Sequence, residues 1–117
     1  MREKEIEEKF RIAVKRAGGK AYKFTSPGNG GVPDRLVVMP GGRIGFVEVK
    51  APGKRPTSLQ DMRMRELAGL GCTVLVLDSP EGIQGAIAAI SQDIPPSQGV
   101  ADRDLGAGRP ALEEGGR

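Results

Sequence analysis

Two carboxylates and a lysine between residues 31 and 54 form a pattern that could bind a metal ion. Asp34 enters the apolar run "RLVVM", while Glu48 and Lys50 lie near the end of the next run, "IGFVEVK". The turn "PGG" at residues 40–42 separates the two runs and predicts a tight β-hairpin. Asp34 lies six residues before that turn and Glu48 six residues after it, so pairing brings both carboxylates to the same end of the hairpin.

Neighbouring carboxylates repel each other and destabilise a fold unless a cation neutralises them. Mg²⁺ is commonly held by one or two carboxylates together with waters and substrate phosphate. Side chains alternate between the two faces of a strand, so Glu48 and Lys50 share the face of Phe46, which begins apolar. Two simpler roles remain open: an exposed Glu–Lys pair worth at most about 1 kcal/mol, and a turn or capping role for Asp34 after proline.

The chain of 117 residues contains no histidine, which limits the chemistry available to it. Imidazole is the usual general base near neutral pH and the commonest zinc ligand. Any catalysis would therefore depend on carboxylates, lysine and a hard cation that accepts oxygen ligands. The single cysteine, Cys72, cannot form a disulfide within the chain and favours a reduced, intracellular setting. The glycine-rich "SPGNGG" lacks the Gly-Lys-Ser/Thr ending of a phosphate-binding P-loop.

Local patterns predict the element order α-β-β-β-α-β-α. Apolar residues at three- and four-residue spacing indicate an amphipathic helix from Glu3 to about Ala17. A short strand, "KAYKF", and an exposed loop, "TSPGNGG", follow this helix. The hairpin then supplies the second and third strands.

Beyond the hairpin, Thr57 or Ser58 can cap a helix that runs to about Leu70. The apolar run "TVLVL" predicts a strand covered on both faces, and the helical crossover before it makes it parallel to its partner. A final short helix begins near Pro80 and continues through Ile90. The predicted fold class is therefore α/β, a mixed sheet with helices on its faces.

Composition divides the chain into two parts. Residues 1–91 form one domain, with 15 Lys and Arg against 10 Asp and Glu. This basic balance suits a polyanionic partner. Residues 92–117 carry 3 Lys and Arg against 5 Asp and Glu and lack apolar periodicity, which predicts a disordered tail. No apolar run reaches the roughly 20 residues of a membrane span, and the start "MREKEIEEK" lacks a secretory signal, so we expect a cytoplasmic protein.

The motifs resemble those of a known nuclease family. "GVPD", followed after thirteen residues by "EVK", is similar to the PD-(D/E)xK signature of the restriction-endonuclease-like nucleases. The longer stretch from "KFTSPGNGGVPD" to "EVKAPGKRPTSLQ" resembles the small VRR-NUC domain, which occurs alone in phage and bacterial proteins and attached to larger DNA-repair nucleases. The resemblance covers roughly residues 3–90. It implies a restriction-endonuclease-like mixed sheet and a Mg²⁺-dependent DNA endonuclease, in which Mn²⁺ can substitute.

The resemblance also implies roles for individual residues. Asp34 and Glu48 would bind the cation, with the backbone carbonyl of Val49 as a third ligand. Lys50 would orient or help to deprotonate the attacking water and stabilise charge on the phosphoryl oxygens. Gln60, near the start of the second helix, would hold the water or the lysine in place.

An additional acidic ligand on the first helix is also implied, and the helix offers four glutamates. By helical-wheel geometry Glu5 and Glu8 point away from the apolar face, whereas Glu3 and Glu7 lie closer to it. Glu3 lies in a terminal turn that frays. We therefore expect Glu7 to be the metal ligand.

The expected function is a metal-dependent DNA endonuclease, with a non-catalytic nucleic-acid-binding module as the alternative. Lys54 and Arg55 could contact the DNA backbone or lie in a solvated loop. The resemblance further implies a homodimer that cuts branched DNA such as four-way junctions, because a two-fold dimer presents two symmetric sites. Met62 and Met64 lie on different sides of the second helix, which leaves one available for a partner.

Overall fold

The computed structural model describes residues 1–92, and these form three α-helices, one 3₁₀ turn and four strands. Most of the predicted tail, from residue 93 onward, lies outside the described residues. The elements follow the predicted order, and we label the helices and strands by position in the chain. They are α1 (Glu3–Arg16), β1 (Lys20–Lys23), β2 (Arg35–Met39), β3 (Arg43–Val49), α2 (Ser58–Gly69), β4 (Thr73–Leu77), a 3₁₀ turn (Pro80–Gly82) and α3 (Ile83–Ser91).

The strands form one mixed sheet in the order β1-β2-β3-β4. β1, β2 and β3 pair antiparallel, whereas β4 lies parallel to β3, as the helical crossover through α2 predicts. The β2–β3 hairpin is confirmed: Met39 pairs with Arg43 across the turn. Gly41 and Gly42 have φ of 87° and 76°, a conformation that glycine adopts without the steric penalty of a side chain.

The hydrophobic core lies between the sheet and helices α1 and α3. Val47 and Val49 of β3 face this side and are fully buried. α1 contributes one face of its helix, and α3 packs so closely that a Cβ on Gly45 would lie 2.6 Å from an Ile90 side-chain atom. The core thus fixes β3 in the interior of the sheet. None of the helices in residues 1–92 is long and apolar enough to cross a membrane.

The opposite face of the sheet, on the side of α2, is covered incompletely. α2 buries one residue of its own, Met64, and the Phe24 and Phe46 rings pack together with centroids 5.5 Å apart. Val76 of β4 remains 46% exposed, whereas Leu77 on the core side is 2% exposed. The prediction that "TVLVL" is covered on both faces is therefore wrong. β4 is an edge strand, and α2 covers only part of the face that lies opposite the core.

The loop before β2 is docked against the start of α2. Nε of Arg63 donates a hydrogen bond to the carbonyl oxygen of Gly30 at 2.9 Å. A Cβ on Gly31 would lie 2.8 Å from the Leu59 side chain and 3.0 Å from its carbonyl group. Only glycine fits this approach, and the contact fixes the position of Asp34, three residues later, relative to α2.

We expect Gly31→Ala to destabilise the fold more than the matched change Gly28→Ala. Both glycines have positive φ, 88° and 83°, so each alanine costs about 1–2 kcal/mol of backbone strain. A Cβ at position 28 meets open space, whereas one at position 31 meets Leu59, which adds about 1–3 kcal/mol of overpacking. Chemical denaturation of both variants measures the difference, and equal unfolding free energies would show that the loop can move away from α2.

Candidate active site

Asp34 and Glu48 lie opposite each other at the open end of the hairpin. The register pairs Arg35 with Val47, so the next position outward places Asp34 across from Glu48. The backbone N–H of Phe24 donates to the carbonyl oxygen of Asp34 at 2.7 Å, which ties this residue to the end of β1. Asp34 itself is half-buried. The structure therefore brings the two predicted carboxylates together.

Glu48 is a buried acidic side chain with only 1% of its surface exposed. Its Oε2 accepts a hydrogen bond from Nε2 of Gln60 at 2.9 Å and lies 3.2 Å from Nζ of Lys50. Its Oε1 has no hydrogen-bond partner among the described residues. A buried carboxylate oxygen without a hydrogen-bond partner is energetically costly, and a bound cation would satisfy it.

The electrostatic environment of Glu48 opposes its ionisation. Burial raises the pKa of the Glu48 carboxyl, and the neighbouring Asp34 carboxylate raises it further. The Lys50 ammonium and, to a smaller extent, the backbone N–H of Asp34 act in the opposite direction but do not cancel these effects. A divalent cation between the two carboxylates would remove their repulsion and favour the ionised form of both.

Gln60 has both ends of its amide fixed. Its backbone N–H donates to Oγ1 of Thr57 at 3.1 Å, and its Oε1 accepts from the Thr57 backbone N–H at 2.9 Å, which completes a capping box at the start of α2. The amide nitrogen is therefore directed at Glu48. Sequence reasoning predicted Thr57 as one possible cap and assigned Gln60 to water or lysine, whereas the structure pairs Gln60 with the Glu48 carboxylate.

The residues present fit a hard divalent cation. Asp34 and Glu48 offer carboxylate oxygens, one of them an unpartnered buried atom, and oxygen is the donor that Mg²⁺ prefers. Val49 has no donor atom in its side chain, which is buried in the core, so its predicted role as a ligand would fall to its backbone carbonyl. Lys50 is 15% exposed and lies on the same strand end.

Glu7 is paired with Arg35 in the structure, and its predicted role as a metal ligand stays a prediction. Its Oε2 accepts hydrogen bonds from Nε and Nη2 of Arg35, each at 3.1 Å. Within residues 1–92 no group of three or more His, Cys, Asp or Glu side chains is placed to hold a metal. Neighbouring side chains of a strand lie on opposite faces, so Arg35 lies on the other face of the sheet from Asp34 and faces α1. There its Nη1 also donates a hydrogen bond to the carbonyl oxygen of Ala21 at 3.3 Å.

Sequence reasoning missed the two arginines that organise the surroundings of the site. Arg35 links α1 to β1 and β2, and Arg63 ties the loop before β2 to α2. For Arg35 a signal was present, since strand alternation places it on the face of the Glu-rich helix. For Arg63 no pattern in the neighbouring sequence indicated that its side chain would donate a hydrogen bond to the carbonyl oxygen of Gly30.

The chain is similar to known nucleases in sequence and in structure. It is 52% identical over 81 residues to "Putative nuclease p44" of Acyrthosiphon pisum secondary endosymbiont phage 1, a match that covers 69% of this chain and 87% of that protein. A solved structure described as "VRR_NUC domain" matches with a TM-score of 0.69 and 28% sequence identity, over 74% of this chain and 94% of the other. No family model matches the sequence.

A mixed four-stranded sheet flanked by helices, with Asp34, Glu48 and Lys50 at one end of its hairpin, is the architecture of the restriction-endonuclease-like nucleases. Within this class the sequence and structural similarities agree on one group. The chain belongs to the VRR-NUC nuclease family.

We expect Glu48→Gln to stabilise the metal-free protein at neutral and higher pH. The pKa of Glu48 is raised in the fold, so the folded state binds this proton more tightly and stability falls as pH rises above the ordinary value of 4.5. Glutamine keeps the shape and removes the charge. Thermal melts in EDTA should show a gain in Tm at pH 8 that shrinks toward pH 5.

The matched control is Glu8→Gln, which removes the same charge at an exposed position of α1. It should change Tm little across this pH range. A lower Tm for Glu48→Gln at pH 8 would show that hydrogen bonding to the carboxylate outweighs the cost of burying it.

Proposed function

We propose that this chain is a metal-dependent endonuclease that hydrolyses phosphodiester bonds in DNA, with Asp34 and Glu48 as ligands of Mg²⁺ or Mn²⁺. The observation that carries this proposal is the buried Glu48 carboxylate, which has one unpartnered oxygen and lies next to Asp34. Such an arrangement destabilises the protein alone and becomes favourable with a cation. Membership of a nuclease family supports the reaction class.

Each residue has a role that follows from its contacts. The bound ion would supply Lewis-acid polarisation of the phosphoryl group and a lowered pKa for water. Gln60 and Lys50 hold Oε2 of Glu48, which leaves Oε1 available to a bound ion. Lys50 places a compact positive charge where negative charge develops on the phosphoryl oxygens, and it can orient the attacking water. Gln60 is a positioning residue, since its contact is with Glu48.

A non-catalytic DNA-binding module with the same fold is the alternative. Such a module would be expected to replace buried acidic groups, because carboxylates repel the phosphate backbone. Here Asp34, Glu48 and Lys50 are all present, and Glu48 is held by two side chains. This favours the enzyme.

Metal binding and cleavage should separate the roles of the acidic residues. In calorimetric titrations with Mn²⁺, Asp34→Asn and Glu48→Gln should lose binding, whereas the control Glu7→Gln should retain it because Glu7 pairs with Arg35. Lys50→Ala should bind the ion but lose cleavage. Activity should require Mg²⁺ or Mn²⁺, vanish in EDTA, and be weak in Ca²⁺, whose coordination is larger and looser.

Two results would contradict the assignment. Robust hydrolysis in EDTA would exclude the metal mechanism. Loss of Mn²⁺ binding in Glu7→Gln, at unchanged Tm, would show that Glu7 is a ligand.

We further propose that the working unit is a homodimer that prefers branched DNA, with four-way junctions as the first substrate to examine. Apolar side chains remain exposed on the α2 side of the molecule: Ile44 is 52% exposed, Met62 49% and Val76 46%. Met64 is 8% exposed and packs within the protomer, so Met62 is the methionine available to a partner. A two-fold dimer would present two sites to the paired strands of a junction.

Light scattering should give twice the protomer mass for the wild type at micromolar concentration. Met62→Glu should shift the equilibrium toward the monomer, because it places a charge in an apolar contact. The control Ile12→Glu changes another exposed apolar residue, on α1, and should leave the mass unchanged. A monomeric wild type that cuts a fixed junction and a linear duplex at equal rates would overturn this part without affecting the metal chemistry.

A further inference from the structure

A strongly basic cavity lies between α1 and the outer edge of β1. It has a volume of about 410 Å³ and is lined by five basic residues and no acidic one. We call it the basic groove and define it by Arg11, Lys15, Lys20, Lys23 and Arg35. The groove is separate from the Asp34–Glu48 pair, and none of its residues has a role in the chemistry proposed above.

Most of the positive charge in the basic groove is not compensated by the protein. Arg35 is paired with Glu7. Arg11, Lys15 and Lys23 are exposed and make no ion pair or side-chain hydrogen bond within the described part of the chain. Lys20 has its ammonium 5.4 Å from the centre of the Tyr22 ring. Like charges repel, so this cluster favours binding of an anion.

Edge protection would be a simpler role for lysines on an outer strand, because charged side chains prevent pairing with another sheet. The other edge strand argues against it here. β4 has the sequence "TVLVL", without a charged residue, so the fold does not protect its edges by charge. Edge protection also leaves Arg11 and Lys15 unaccounted for, since both lie on α1.

The basic groove begins beside the proposed metal site. Lys23 pairs with Arg35, the residue that follows Asp34. The backbone N–H of Phe24, the first residue after β1, donates a hydrogen bond to the carbonyl oxygen of Asp34 itself. The lining also includes Lys20, about 10 Å farther along β1, whose side chain lies on the opposite face of the strand from Lys23. That length corresponds to about three nucleotides of one strand in a duplex.

We propose that the basic groove binds the phosphodiester backbone of the DNA next to the scissile phosphate. The inference rests on the proposed function for the identity of the anion. Arg35, held by Glu7 and the Ala21 carbonyl, sets the spacing between α1 and β1, while the exposed cations on the same side, Arg11, Lys15 and Lys23, contact phosphates. The basic groove thereby determines which segment of the DNA strand lies across the metal site, and contacts to phosphates do this without recognising the base sequence.

DNA binding tests this directly, in an Asp34→Asn background with EDTA so that no cleavage occurs. The groove variant is Arg11→Ala with Lys15→Ala. Its control is Lys9→Ala with Arg16→Ala, which removes the same charge from the same helix outside the groove lining. Affinities for a labelled duplex are measured by fluorescence anisotropy between 50 and 200 mM NaCl, a range of about fourfold that resolves the salt slope.

The slope of log Kobs against log salt should become shallower by about 1.8 in the groove variant, about 0.9 for each lost phosphate contact, and stay close to the parent value in the control. Lys23→Ala should reduce it by about 0.9. Equal slopes for the groove variant and the control would overturn the proposal.

Two further measurements separate phosphate binding from edge protection and from a failure of the nuclease assignment. If Lys20→Thr with Lys23→Thr increases aggregation in light scattering but leaves the salt slope unchanged, the strand lysines protect the edge and the proposal is wrong. In the otherwise wild-type protein, the Arg11 and Lys15 changes should raise KM with little change in kcat. A wild type that cleaves no DNA with Mg²⁺ would refute the proposed function, whereas the salt slopes would still decide whether the groove binds DNA.

Discussion

The buried carboxylate of Glu48 imposes the main constraint on this structure. A charged group with 1% exposure destabilises a fold unless it is held and neutralised. β3 delivers it rigidly because its neighbours Val47 and Val49 are packed in the core. Gln60 and Lys50 satisfy one carboxylate oxygen and leave the other unpartnered. α2 supplies Gln60 from its capping box, and the loop before β2 docks on Leu59 of the same helix.

The two faces of the sheet serve different purposes. On one face α1 and α3 form a dense core that holds the strands in register. On the other face α2 covers the sheet only in part and leaves apolar residues such as Ile44 and Val76 exposed. The outer strands differ too, since the edge at β1 is basic and the edge at β4 is apolar.

Local sequence signals predicted most of the fold. Helical periodicity, the "PGG" turn and the crossover before "TVLVL" gave the element order, the hairpin and the parallel β3–β4 pair. The equal spacing of Asp34 and Glu48 from the turn predicted that they meet, because antiparallel register is fixed by the turn. The prediction that both faces of β4 are covered was wrong. An apolar run indicates burial, but it does not show whether a helix covers each face of the strand.

The sequence by itself determined the secondary structure, the hairpin register and the pair of carboxylates, because these depend on spacing along the chain. Only the tertiary structure decided what each side chain contacts. Glu7 pairs with Arg35, 28 residues away, and Gln60 holds Glu48 across 12 residues. Arg63 reaches Gly30 over 33 residues, and residues of α1 and β1 form the basic groove together. Such contacts depend on how helices pack against the sheet, and helical periodicity defines a face without identifying the residue that the face will meet.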